Sequence, residues 1–194
     1  MTSLPPPIYI DDDAGLAALM PVLLRAPLLA VDTQSNSLHA YRERVCLIQI
    51  STTEADYILD PLTIGDLGPL ASVFASRQIE KIFHAAEYDL MCMKRDFGFV
   101  FHHLFDTMIA ARVCGIRQVG LNALLQTYVG VELDKSHQRD DWGQRPLPTD
   151  SLHYAQTDTH YLPLLRDHLG ARLAELDRVE EAAELFDDLR HVRM

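Results

Sequence analysis

In LLAVDTQ, Leu28 to Gln34, the apolar run Leu28 to Val31 reads as a buried strand that delivers Asp32, Thr33 and Gln34 at its end. Side chains along a strand alternate between its two faces, so Asp32 and Gln34 project the same way. A carboxylate and a second oxygen-bearing side chain on one face of a strand end suit paired metal ions. Residues 44–51 (RVCLIQIS) form a second, β-branched and apolar strand, and residues 56–60 (DYILD) a third, stopped by Pro61. Arg42, Glu43 and Arg44 cluster between the first two strands. These three segments predict an antiparallel meander with a polar loop.

Beyond the meander, strand and helix alternate. The spacing predicts a short helix over 64–75, a strand over 80–84, and a helix over 87–96 with Gly98 as its stop. A short strand over 101–105 and helices over 107–113 and 121–128 follow, the last ended by Gly130. Residues 132–148 (ELDKSHQRDDWGQRPLP) are polar and mixed in charge, and long for a structureless connection, as functional loops often are. From Thr149, a possible cap, the pattern is helical. Leu152, Ala155, Thr159 and Leu162 lie along one face, Pro163 predicts a kink or break, and 171–189 read as an acidic amphipathic helix. There is no internal repeat and no sign of a second domain. The expectation is one domain over 1–194, with a core of about 28–169 and a helical tail over 170–194. The fold class is α/β, a mixed β-sheet flanked by helices.

The chain has 194 residues, 48% hydrophobic and 23% charged, with a formal net charge of −11. That charge disfavours a sequence-blind grip on a long duplex, which needs many Lys and Arg. A short strand held in a small pocket, or acidity balanced by divalent cations, is compatible with it. No apolar run approaches the ~20 residues of a membrane span. The N-terminal segment 1–10 is Pro-rich without a basic region, unlike a signal peptide. Three scattered cysteines, Cys46, Cys92 and Cys114, form no CxxC and read as reduced thiols of a cytoplasmic protein. His102-His103 lacks a third ligand at zinc spacing.

Four positions carry the chemistry together: Asp32 with Gln34, Asp89 five residues after His84, Asp158, and Tyr154 one helical turn before it. At i and i+4, Tyr154 and Asp158 share a helix face. Taken singly, such an Asp is a turn or cap residue and such a Tyr a packing residue. In order, they resemble the ribonuclease D family, the DEDDy branch of 3′-5′ exonucleases. The first motif, Asp-x-Glu, matches Asp32-Thr33 and departs at Gln34. Val45 to Ser51 resembles the family's second strand, His84-Ala85-Ala86-Glu87-Tyr88-Asp89-Leu90 its second motif, and Tyr154-Ala155-Gln156-Thr157-Asp158 its third. Leu133 to Ser136, Asp141-Trp142 and Arg145 to Leu147 are similar to its characteristic loop.

The resemblance implies a ribonuclease H-like fold and two-metal hydrolysis of RNA 3′ ends, releasing nucleoside 5′-monophosphates. Two divalent ions, Mg²⁺ or Mn²⁺, about 3.5–4 Å apart would favour both attack and departure. Asp32 would bridge them, position 34 and Asp158 would hold the ion near the attacking water, and Asp89 the ion near the leaving group. Tyr154 would position the water. Lys135, Arg139 and Arg145 are the phosphate-binding candidates. Trp142 would either stack on a base or anchor its loop by packing. Thr33, Leu38, His39, Tyr41 and His84 are the remaining substrate-side candidates, each with a plain structural alternative.

Gln34 is neutral where the family motif carries Glu, so the expectation is low or absent turnover in this chain. An engineered substitution that traps substrate and a natural variant both stand at this point. The partner expected is an RNA 3′ end or a short oligoribonucleotide, down to a dinucleotide, with no membrane and a homo-oligomer possible. A catalytically silent nucleic-acid- or protein-binding module and a DNA exonuclease are the rival readings.

Overall fold

The computed structural model describes residues 4–193; the remainder of the expected domain, including the first three residues of the Pro-rich N-terminal segment, lies outside the described residues. Strands β1 (Ile8–Ile10), β2 (Leu28–Ser35), β3 (Val45–Ser51), β4 (Asp56–Leu59), β5 (Glu80–Phe83) and β6 (Leu104–Asp106) form one mixed sheet in the order β1-β4-β3-β2-β5-β6. The β2-β3-β4 meander is antiparallel, as the sequence predicts, whereas β1, β5 and β6 each join a parallel neighbour. Every residue of β3 is buried, which explains its near-continuous apolar run.

Among the described residues, eight α-helices flank the sheet: α1 (Asp13–Arg25), α2 (Leu70–Phe74), α3 (Glu87–Phe97), α4 (Thr107–Val113), α5 (Leu121–Tyr128), α6 (Thr149–His160), α7 (Leu162–Glu175) and α8 (Val179–Asp188). Gly98 ends α3 in the left-handed conformation expected of a glycine stop, at φ 70°. Pro163 breaks the long C-terminal helix, with α6 closing at His160 and Pro163 falling in the first turn of α7. Thr149 is the first helical residue of α6 and not its cap, which is Pro148.

Three expectations need correction. β1 and α1 precede Leu28, where the sequence pattern predicts no element. The helix expected over 64–75 shrinks to α2, because Gly65, Gly68 and Pro69 hold its first half in turns. The expected tail helix is two helices, parted at Asp177, whose φ of 55° no helix accommodates.

The main core packs α1, α2, α3, α4 and α7 against the sheet through residues such as Leu23, Leu29, Ile50, Phe74, Phe83, Leu90 and Leu165. A second apolar cluster of Cys46, Leu47, Ile58, Trp142 and Ala155 seats α6 and the long loop 129–148 on the meander. Cys46, Cys92 and Cys114 are free thiols. Among the described residues no helix is long and apolar enough to cross a membrane.

Candidate active site

β2 runs between the antiparallel β3 on one side and the parallel β5 on the other. From the carboxyl ends of the parallel neighbours β2 and β5 the chain leaves in opposite directions, to β3 and to β6, and a crevice forms at such a switch point. The register between β2 and β3 shifts at Gln34/Ser35, a bulge at the end of the LLAVDTQ strand. Here Asp32, Gln34, His84, Asp89, Tyr154 and Asp158 all line one cavity of about 650 Å³. β2 supplies the first two residues, the β5–α3 turn and α3 the next two, and α6 the last two.

Each carboxylate is held by named donors. Thr33 spends both its N–H (3.2 Å) and its hydroxyl (2.5 Å) on Asp89 Oδ1. Gln34 Nε2 donates to Asp32 Oδ2 at 3.1 Å and to Asp158 Oδ2 at 3.0 Å. Its amide NH₂ thus stands between two carboxylates, where a cation would otherwise relieve them. Burial, and then repulsion from Asp89 and Asp158, raises the Asp32 carboxyl well above the ordinary range. Burial pushes Asp89 and Asp158 up to about 7 each, against the pull of their hydrogen bonds. Tyr154 is raised above an ordinary phenol by burial and then by Asp158 and Asp32, so its hydroxyl stays protonated at neutral pH. The Tyr154 ring sits between Trp142 and His137, with centroids 6.0 and 6.2 Å away.

Charge separates this cavity from a simple anion site. Asp32, Asp89, Asp134 and Asp158 line it against the one cation Lys135. An anionic ligand would meet repulsion there unless cations came with it. The hard oxygen donors of Asp32, Asp89 and Asp158 fit Mg²⁺ or Mn²⁺. As it stands, no group of three or more His, Cys, Asp or Glu side chains among the described residues is gathered tightly enough to hold a metal. The Gln34 amide between Asp32 and Asp158, and the Thr33 tie on Asp89, are the contacts that cation binding must rearrange.

The substrate-side candidates divide. Lys135 lines the main cavity and is exposed. Leu38 and His39 line a smaller adjoining cavity of about 140 Å³ with Thr33, Gln34 and Tyr88. Leu38 is 69% exposed, and a ring nitrogen of His39 is hydrogen-bonded with the Arg139 carbonyl at 3.0 Å, latching two loops together. His84 Nδ1 meets Thr107 Oγ1 at 2.8 Å, and that hydroxyl donates to the Phe83 carbonyl, so Nδ1 carries the proton. Burial lowers the pKa of His84, leaving a neutral ring whose Nε2 is an acceptor.

Four candidates do not face the cavity as expected. Every N–H of Arg145 is taken: two by Asp60, and the others by the carbonyls of Trp142, Gln144 and Cys46. It anchors the long loop and has no donor left for phosphate. Trp142 touches the smaller cavity but is 2% exposed and packed in the second apolar cluster, the anchoring alternative of the two weighed for it. Tyr41 is fully exposed and Arg139 is exposed, and neither lines either cavity. Thr33, with both donors on Asp89, positions a carboxylate.

Sequence reasoning passed over Asp106. It accepts from the N–H groups of Ala85, Ala86, Met108 and Ile109, so one buried carboxylate shapes the second-motif turn and caps α4. Ala85 sits at φ 57°, a conformation that this bonding helps to hold. Asn122, Gln126 and Gln138 also line the cavity from α5 and the long loop. They were missed because isolated amides on loops and helices carry no spacing signal.

A 3′-5′ exonuclease family model matches residues 7–174. The chain belongs to the 3′-5′ exonuclease family. Ribonuclease D of Acidiphilium cryptum (strain JF-5) is 36% identical over 191 residues, 95% of this chain and 49% of that protein. The catalytic core of RRP6 from Trypanosoma brucei superposes with a TM-score of 0.94 at 32% identity, covering 100% of this chain and 54% of that one. NrnC of Brucella melitensis superposes with a TM-score of 0.82 at 26% identity, covering 95% and 89%, and has been solved with bound Mg²⁺ and with pGG. The chain spans 19–49% of the length of the first curated relatives it matches. This exonuclease domain is of the RNase D, RRP6 and NrnC type and has their ribonuclease H-like α/β fold.

Proposed function

We propose that this exonuclease domain hydrolyses the 3′ ends of short RNAs, releasing nucleoside 5′-monophosphates, and that Gln34 holds it in a state of low turnover. The observation that carries the reading is the convergence of Asp32, Asp89, Tyr154 and Asp158 on one cavity. The ribonuclease D relative supports RNA as the substrate class, and the pGG-bound and Mg²⁺-bound forms of NrnC support a short oligonucleotide and a divalent ion.

Asp32, Asp89 and Asp158 would hold the divalent ions, joined by the Gln34 carbonyl once its amide has turned over. Bound there, such ions supply Lewis acidity to the attacking water and the departing 3′ oxygen. The protein's own groups do the rest. The Tyr154 hydroxyl, too weak an acid to serve as a free base, orients a water by hydrogen bonding. Lys135 draws in the phosphate. Leu38 and His39, on the smaller cavity, contact the terminal nucleotide. A substrate of few phosphates matches a cavity with a single lysine.

Gln34 opposes turnover in two ways. It is neutral, and it presents an N–H pair to the two carboxylates that would take a cation. The decisive experiment compares this chain with Gln34→Glu on RNAs of two to twenty nucleotides and matching DNAs, with Mg²⁺ or Mn²⁺. The expected result is release of 3′ nucleotides by Gln34→Glu, at least about 100-fold faster than by the parent. Preference for the dinucleotide would place it among enzymes of very short RNAs, and preference for DNA would replace RNA as substrate. Binding of a labelled dinucleotide without cleavage in both forms would favour a silent binding module, whose support is the Gln34 amide between Asp32 and Asp158.

A further inference from the structure

We propose that Gln49 is a positioning residue for Asp32, tying the strand carboxylate to the helix that carries Tyr154 and Asp158; this rests on the exonuclease reading above. Gln49 lies directly opposite Asp32 in the β2–β3 register. Its side chain is fully buried, between the apolar Ile48 and Ile50 of β3. Nε2 donates to Asp32 Oδ2 at 3.2 Å and to the Ala155 carbonyl of α6 at 3.4 Å. The Ala155 carbonyl only accepts, so the amide turns its nitrogen toward it and toward Asp32.

The other half of the amide weighs against stability. Gln49 Oε1 is buried with no hydrogen-bond partner. An orphaned buried carbonyl is a cost that an apolar side chain of the same shape would avoid. What the amide adds in return is a donor on Asp32 and a link to α6, one residue past Tyr154. It fixes the rotation of the Asp32 carboxylate and its distance from the α6 groups. With Glu at position 34 the Gln34 donor to Asp32 is gone, and Gln49 becomes the amide that still holds it.

The test compares Gln34→Glu with Gln34→Glu/Gln49→Met, a near-isosteric change that removes the amide. Mn²⁺ binding is measured by calorimetry, and dinucleotide hydrolysis is followed against Mn²⁺ concentration. The expected result is Mn²⁺ affinity about 10- to 100-fold weaker and kcat lower by a similar factor. KM for the dinucleotide stays within about twofold, and Tm is equal or higher because the orphan carbonyl is gone. Should the Met variant fail to fold, Gln49→Asn, too short to reach both acceptors, is read the same way. Unchanged Mn²⁺ binding and kcat in a folded Gln49 variant would overturn the role of Gln49 and leave the exonuclease reading intact. Absence of Mn²⁺ binding and turnover in Gln34→Glu itself would overturn both.

Discussion

Arg145 illustrates how a single residue is spent. Its guanidinium makes a two-pronged pair with Asp60, at 2.7 and 2.9 Å, and serves three carbonyls of the loop and β3. Asp60 is almost wholly buried, so removing its partner strands a charge. Arg145→Met is therefore expected to lower the unfolding free energy by about 3 kcal/mol in urea melts. Lys135, exposed on the cavity, should behave oppositely. Lys135→Met should leave stability within about 0.5 kcal/mol and weaken binding of a short RNA, with a shallower salt dependence by about 0.7 in logarithmic slope. Both residues sit in the same polar loop sequence and have the same charge. Composition and spacing treat them alike, and only the location of Asp60, 85 residues away in the chain, separates them.

At the scale of elements, the second-motif turn and α4 form a unit through Asp106. Asp106→Ala leaves four N–H groups without that acceptor, two of them at the start of α4. The expected cost is about 3 kcal/mol by chemical denaturation, combining a lost cap with buried donors left unpaired. Helix α6 is fastened on its other face by Asp56, which accepts from Ser51 and Gln156 and pairs with His160. That explains why a helix bearing Gln156, Thr159 and His160 lies flat on β3 and β4 despite its polar composition. The periodicity of the chain locates α3, α4, α5 and α6 closely, because each has an apolar face and a clear stop. It misplaces α2 and the tail, where proline, glycine and one left-handed aspartate override the pattern.

For the whole molecule, two carboxylates held low set the response below about pH 4, whereas Asp89 and Asp158, raised to about 7, act the other way between about pH 7 and 4. Burial would raise Asp60, but hydrogen bonds from Arg145, Tyr9 and the Leu62 N–H outweigh it and hold the group low. Burial likewise opposes Asp56, and its bonds to His160, Ser51 and Gln156 outweigh that. Both folded values lie below the unfolded one, so their stabilisation is present above about pH 4 and is lost as pH falls through the lowered values. Thermal melts should therefore show Tm falling steeply below about pH 4. Asp60→Asn, less stable at neutral pH, should show a shallower acid limb; an equally steep one would remove Asp60 from the account.

The sequence by itself determined the residues that line the cavity's centre, their order, the antiparallel meander and the α/β class. Those follow from local rules: the period of two along a strand, the i to i+4 face of a helix, and the stops that end elements. Tertiary structure alone decided how those residues meet. Gln34 reaches Asp158 across 124 residues, and Gln49 reaches Ala155 across 106. The register of β2 on β3 and the seating of α6 set these contacts. They also decide that Arg145 faces inward to Asp60 while Lys135 faces the cavity. Side-chain direction and partner depend on packing between distant segments, and no local pattern in the chain encodes that.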